Sequence, residues 1–156
     1  MRFVGNIEAK TDSKGRAFLP AQFRKVLQGN GEERIVMKRD VFQKCLVLYP
    51  ESVWNKRIDE LNSRLSVWNG KHQMLMRQFM SCVEVLSLDS SGRFLISGLY
   101  RKMANISQNV RFVGMGDVIE VWSEEELEKT MMDQDTFSAE LESLMSGNNT
   151  KGSEEI

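Results

Sequence analysis

Histidine and cysteine are scarce in this sequence, with one His and two Cys among 156 residues. Cys45 and Cys82 stand alone, 37 residues apart, each beside apolar neighbours. That spacing suits neither a zinc site nor a redox pair, so two buried thiols in a reducing cytosol are expected. His72 has no cysteine or second histidine at ligand spacing, which leaves it a place on a helix surface or an interface. No paired carboxylates, nucleophile triad or metal set emerges; the chain is read as no enzyme, with no metal, no cofactor and no small-molecule substrate. Gly114-Met115-Gly116-Asp117 lacks the Gly-Lys-Ser/Thr ending and the following helix of a phosphate loop, and reads as a strand connection. No apolar run approaches the ~18 residues of a membrane span. Met1 to Lys10 holds no apolar stretch of the kind a signal peptide needs. A cytoplasmic protein with no membrane partner is expected.

What is present is ordinary in bulk and uneven in detail. Hydrophobic residues make up 41% and charged residues 28%, which suits one compact domain or two small, tightly joined ones. The net charge of −1 hides an asymmetry. Residues 1–116 carry 19 Lys+Arg against 10 Asp+Glu, a net +9, and residues 117–156 carry 2 against 12, a net −10. A basic body points to a polyanionic partner. The acidic end keeps the whole soluble and could shield that body; it could equally be a solvated helix with no further role.

The chain also repeats itself. Shifted by 77 residues, Asp12 to Lys25 (DSKGRAFLPAQFRK) lies over Asp89 to Lys102 (DSSGRFLISGLYRK), with Asp, Ser, Gly, Arg and the later Arg-Lys pair identical. In the same register Arg34, Val36, Asp40 and Val41 fall on Arg111, Val113, Asp117 and Val118. A four-residue deletion then aligns Leu46–Tyr49 with Ile119–Trp122, so the match covers about 45 residues per copy. Each copy reads as a strand, an Asp-Ser-x-Gly turn, a second strand, a short helix and two further strands. Asp suits the first position of a type I turn, and Gly suits the left-handed position that closes a bulged hairpin. The strands are placed at Ala17–Leu19, Arg34–Lys38 and Cys45–Tyr49, and at Phe94–Ile96, Val110–Met115 and Val118–Trp122. Pro20 suits a first helical turn, Ser97 an N-cap, and Gly29-Asn30-Gly31 a helix end.

Between the copies lies a helical insert. Pro50 opens it, and Trp54, Ile58, Leu61, Leu65 and Trp68 recur at spacings of four and three as one packing stripe. Asn69-Gly70 breaks the pattern, and Lys71 to Met80 resumes as a second helix whose methionines read as core or subunit contact. The two helices should pack antiparallel. Ser123 with Glu126 forms a capping box, so a further helix starts near Glu124, and Thr136 to Met145 forms another. Asn148 to Ile156 reads as disordered. The resulting division is 6–53 for the first repeat, 54–80 for the helical pair, 82–125 for the second repeat and 126–156 for the acidic end.

One copy alone has too little core to stand by itself, and two copies pairing would hide their sheet edges. The paired Asp-x-x-Gly-Arg turns, the helical pair opened by Tyr49-Pro50 and the Glu120-Val121-Trp122 ending resemble the MraZ family, over about Arg2 to Leu127. Its units are similar to the AbrB-type DNA-binding fold. The resemblance implies an α+β fold in which two AbrB-like repeats form a pseudo-twofold, swapped-hairpin β-barrel. It also implies homo-oligomeric rings, association with the nucleoid, and binding of short repeats in double-stranded DNA upstream of the cell-division and cell-wall gene cluster.

Carried onto this sequence, the resemblance makes Asp12 and Gly15, and Asp89 and Gly92, the residues that shape the turns. Arg16, Lys14 and Arg93 become the DNA-binding candidates, joined by the chain-end cation Arg2. Arginine pairs bidentately with guanine, and lysine reaches guanine or phosphate. Asp12 and Arg16 could instead simply pair with each other. Ser91 stands where the first turn has Lys14, which predicts that the first turn is the reader and the second chiefly structural. Arg24 and Lys25 read as a solvated helix face. The competing function is an antitoxin-like or other protein-binding module that engages a basic partner through the acidic end.

Overall fold

The computed structural model describes residues 1–148. The sequence-based expectation of disorder falls almost wholly beyond them. Among the described residues, eight strands and six helices are arranged in two rounds. The first round is β1 (Asn6–Lys10), β2 (Arg16–Phe18), α1 (Ala21–Gly29), β3 (Ile35–Arg39) and β4 (Leu46–Pro50). The helical pair α2 (Glu51–Arg64) and α3 (Gly70–Ser81) follows. The second round is β5 (Val83–Leu86), β6 (Arg93–Leu95), α4 (Gly98–Met103), β7 (Asn109–Gly114) and β8 (Ile119–Ser123), and then α5 (Glu124–Thr130) and α6 (Gln134–Ser143). A π-turn, Leu144–Asn148, extends α6.

The strands exchange partners between the rounds. One antiparallel sheet runs β1-β7-β8-β4-β3-β5, so the first strand of each round pairs with the third strand of the other. The second strands, β2 and β6, form a separate two-stranded ribbon about the Ala17–Phe94 pair, and the fourth strands meet about Val47–Glu120. These two pairs mark a pseudo-twofold axis. Among the described residues no ladder joins β1 to β5, so hydrogen bonding leaves the large sheet with two edges and does not close it into a barrel.

The registers refine the internal alignment. Ile35 lies opposite Leu86 and Pro50; Val110 lies opposite Ala9 and Ser123 in the equivalent ladders. The offset is therefore 77 for the first strands (86 − 9), 75 for the third (110 − 35) and 73 for the fourth (123 − 50). The expected four-residue deletion is split in two. Half falls before the third strand, where α4 has 6 residues to the 9 of α1, and half in the hairpin that follows. Arg111 thus corresponds to Val36, not to Arg34.

Period two along the central strands sorts their side chains onto two faces. Leu46, Leu48, Ile119 and Val121 enter a core shared by both rounds, with Phe23 and Leu27 of α1, Tyr100 of α4, and Ala17, Leu19, Phe94 and Ile96 from the ribbon. Cys45, Val47, Val118 and Trp122 face the other way, under Val53 of α2 and Leu127 of α5. Each fully buried Leu, Ile or Phe contributes roughly 1.5–3 kcal/mol, and neither round could bury its share alone. The β7–β8 hairpin turns at Gly116, and Gly114 lets the Phe3–Val4 backbone approach so closely that any Cβ there would lie 2.4 Å from it. That approach seats Phe3 in the core, with Phe3 N–H donating to the Gly116 carbonyl at 2.6 Å.

The connecting helices depart from expectation in places. α2 stops at Arg64, so Trp68 falls in the loop and is 94% exposed; only Trp54 of the two tryptophans packs. Trp54 stacks on Phe79 of α3 with ring centroids 5.8 Å apart. Asn69 does more than break the helix: its side chain accepts from Lys71 N–H at 2.9 Å and His72 N–H at 3.2 Å as the N-cap of α3. No residue of α3 is buried, so its methionines are not core. Lys38 is buried at the end of α3, where its ammonium donates to the Phe79 carbonyl at 2.6 Å and lies 4.3 Å from the Phe79 ring centroid. Ser123 caps α5 through Glu126 N–H at 3.0 Å, whereas Ser97 occupies the corresponding place on α4 without a side-chain hydrogen bond. α6 begins two residues ahead of expectation because Asp133 caps it through Thr136 N–H at 2.8 Å.

Candidate nucleic-acid interface

The two Asp-Ser-x-Gly-Arg turns are alike bond for bond. In the first, Gly15 N–H donates to the Asp12 carbonyl at 3.0 Å and Asp12 N–H to the Arg16 carbonyl at 2.8 Å. Asp12 Oδ1 accepts from Lys14 N–H and Arg16 N–H, each at 2.9 Å, and Oδ2 accepts from Arg16 Nε at 3.0 Å. In the second, Asp89 Oδ1 accepts from Ser91 and Arg93 N–H at 2.9 Å, and Oδ2 from Arg93 Nε at 3.0 Å. Gly15 and Gly92 sit at φ of +88° and +86°, in the left-handed region that favours glycine. Donation from the Arg16 and Arg93 backbone, then from the other turn donors, holds both carboxyls below the ordinary aspartate value of 3.8 despite some desolvation.

The aspartate therefore aims the arginine as well as pairing with it. Each guanidinium is bound through its Nε edge, and its terminal nitrogens have no protein partner among the described residues. β2 and β6 then carry both arginines to one face. Ala17 and Phe94 point inward, while Arg16 lies across from Leu95 and Arg93 across from Phe18. The Arg93 guanidinium carbon is 5.8 Å from the Phe18 ring centroid, and Phe18 is 54% exposed. Arg16 and Arg93 share the rim of a shallow depression of about 480 Å3 with Lys10, Asp12 and Phe18. Two fixed cations beside exposed apolar surface can meet phosphate oxygens or guanine edges.

Not every candidate converges there. Lys14 is exposed at the tip of the first turn. Arg2 is exposed beside Phe3, which pairs with Gly116 in the β7–β8 hairpin, at the far end of β1 from the first turn. Lys10 went unremarked in the sequence, where nothing separates it from any other exposed strand lysine. Arg24 and Arg101 were missed in their true role. Rather than lining a solvated face, Arg24 donates through Nη1 to the Leu19 carbonyl at 2.7 Å, and Arg101, to which the sequence assigns no role, donates through Nε to the Ile96 carbonyl at 2.9 Å. Their place in the repeat, at Asp12 + 12 and Asp89 + 12, was the available signal.

The two-round architecture has a counterpart among known proteins. The family model described as "MraZ protein, putative antitoxin-like" matches twice, over residues 3–78 and 79–146, nearly the whole described chain. The chain belongs to the MraZ family. Among curated relatives, the transcriptional regulator MraZ of Phocaeicola vulgatus is 54% identical over 149 residues, covering 96% of this chain and 97% of the relative. That of Bacteroides thetaiotaomicron is 51% identical, covering 99% of each. That of Flavobacterium psychrophilum is 32% identical, covering 93% of this chain and 92% of the relative. In this MraZ-family chain no group of three or more His, Cys, Asp or Glu is placed to hold a metal ion among the described residues. No described helix is long and apolar enough to cross a membrane. The acidic end of the MraZ-type chain meets its basic body where Arg57 pairs with Asp117 at 3.1 Å, Arg111 donates to Glu124 at 2.8 Å and Asn105 Nδ2 donates to Glu126 at 3.3 Å, and where Leu127 packs beside Val47 and Val53.

Proposed function

We propose that this protein is a sequence-specific, double-stranded-DNA-binding transcriptional regulator that acts as a homo-oligomer on repeated promoter sites upstream of the cell-division and cell-wall gene cluster, in the nucleoid-associated cytoplasm. The observation that carries this reading is the presentation of Arg16 and Arg93 on one exposed face, each aimed by its own aspartate. The names of its relatives as transcriptional regulators support it. Because the two turns are alike bond for bond and share one face, Arg93 is taken as a base-reading group beside Arg16, in place of the chiefly structural second turn expected from Ser91; Lys14 adds a phosphate contact to the first turn alone, and Arg2 is peripheral. The strand exchange supports a swapped-hairpin barrel with the β2–β6 ribbon as one wall. Small footprints need several copies for useful affinity. Exposed Val67 and Trp68, in the loop that joins the helical pair, and Met74 and Leu75 on α3 supply apolar surface for assembly.

A gel shift on DNA upstream of the chain's own gene, with salt titrated, tests this. Arg16→Ala and Arg93→Ala should each weaken specific binding by roughly 10- to 100-fold while the chain stays folded, and Lys14→Ala should lower the salt slope by about 0.9. Light scattering should report a mass well above 18 kDa. Unchanged binding in Arg16→Ala together with Arg93→Ala refutes the site, and a monomer at micromolar concentration refutes assembly. One observation favours the antitoxin-like alternative: α6 carries Asp135, Glu140 and Glu142 together with exposed Phe137 and Leu141, and none of its residues is buried. Retained DNA binding after truncation following Leu127 would count against that alternative.

A further inference from the structure

Each turn is held by the other repeat. Leu19, just after β2, donates its N–H to the Gly92 carbonyl at 3.0 Å, and Ile96, just after β6, donates to the Gly15 carbonyl at 2.9 Å. The carbonyls of the same two residues accept from Arg24 and Arg101. The arginine side chains then lie directly over the opposite glycine. A Cβ on Gly92 would stand 2.7 Å from Arg24 Nη1 and 3.0 Å from its Cζ; one on Gly15 would stand 2.8 Å from Arg101 Nε and 2.9 Å from its Cζ. The second turn thus rests on α1, anchored in the core by Phe23 and Leu27, and the first on α4, anchored by Tyr100.

We propose that Arg24 and Arg101 are positioning residues for DNA reading that act across the pseudo-twofold axis: Arg101 sets Arg16, and Arg24 sets Arg93. This rests on Arg16 and Arg93 being the reading groups. A side chain used for recognition must be held within a fraction of an ångström, which a turn of five residues cannot do alone. The guanidinium supplies a flat surface for the glycine α-carbon and a donor for the carbonyl beneath it. Lysine has the charge without the plane. Glycine is required at both turns for this contact as well as for its φ.

The test uses the full-length protein in two readouts. In amide hydrogen exchange without DNA, Arg101→Ala should speed exchange in residues 12–16 by about tenfold, the loss expected for one hydrogen bond once Ile96, released by Arg101, no longer holds the Gly15 carbonyl through its N–H, and leave 89–93 unchanged; Arg24→Ala should do the reverse. In DNA binding, Arg101→Ala should add little to Arg16→Ala but add fully to Arg93→Ala, because only a residue acting through Arg16 is redundant once Arg16 is gone. Arg101→Lys, which is expected to fold, should behave as Arg101→Ala. Acceleration confined to each arginine's own repeat overturns the proposal. So does rescue by Arg101→Lys with a salt slope lowered by about one contact in Arg101→Ala, the signature of direct phosphate binding. Should the wild-type protein not distinguish promoter from unrelated DNA, the DNA reading fails, and the exchange pattern still decides whether the turns are held across the axis.

Discussion

Three glycines at nearly the same backbone angle allow strain and crowding to be separated. Gly15, Gly92 and Gly116 have φ of +88°, +86° and +85°, so alanine at any of them costs about 1–2 kcal/mol from backbone strain alone. Their surroundings differ. A Cβ at Gly116 meets nothing within 4 Å. At Gly92 it meets the Arg24 side chain, which can swing aside at the cost of its hydrogen bond to Leu19. At Gly15 it lies 2.7 Å from the Ile96 carbonyl oxygen, and backbone in a core-anchored strand cannot give way. The first turn must then lift, losing the Ile96 N–H to Gly15 bond and displacing Arg101, for about 1–3 kcal/mol more. The expected order of destabilisation is Gly15→Ala, then Gly92→Ala, then Gly116→Ala. At ~2–4 °C per kcal/mol for a chain of this size, the first and last should differ by roughly 2–12 °C in Tm. Thermal melts at one fixed protein concentration suffice, since assembly would make Tm depend on concentration. Equal melting of Gly15→Ala and Gly116→Ala would show that the turn does not rest on the opposite repeat.

Acid provides a second test of the turns. The Asp12 and Asp89 carboxyls lie below their ordinary 3.8, so the stability they confer is complete above pH 3.8 and is lost as pH falls through the depressed folded-state values. Replacing both by Asn should flatten the fall of the urea midpoint below pH 3.8; an unchanged acid limb would mean that the turns contribute nothing. Cysteine reactivity tests the packing. Cys45 is fully buried and burial pushes its thiol well up, whereas Cys82 is half-buried. Iodoacetamide should label Cys82 in the folded protein and Cys45 only on unfolding, and equal labelling of both would contradict the β4–α2–α5 packing.

Much of this molecule is local, and what is local was legible in the sequence. The Asp-Ser-x-Gly-Arg turns are written by residues four apart, and their left-handed glycines need nothing beyond the chain itself. Ser123 stands beside the helix that it caps, whereas Asn69 reads as a helix breaker and its capping bonds appear only in the structure. The repeat at 77 residues is a property of the string, as is the charge step at Asp117. Even so, the string does not reveal that its four-residue shortening is divided in two, because only strand register tells which residues lie opposite one another.

Tertiary structure decided the rest. Alternating apolar residues place a strand in some sheet without naming its neighbour, so the pairing of β1 with β7 and of β3 with β5 had to come from packing. The same spacing of four and three that put Trp54 under cover also promised cover for Trp68, which the end of α2 withdrew. Arg16 and Arg93 are 77 residues apart and share a face only because the ribbon crosses the pseudo-twofold axis. Arg24 reads as any exposed helical arginine until Gly92 arrives from the other repeat to lie beneath it. Sequence specifies what each segment can form, but the contacts made across an axis of symmetry exist only once both halves have folded together.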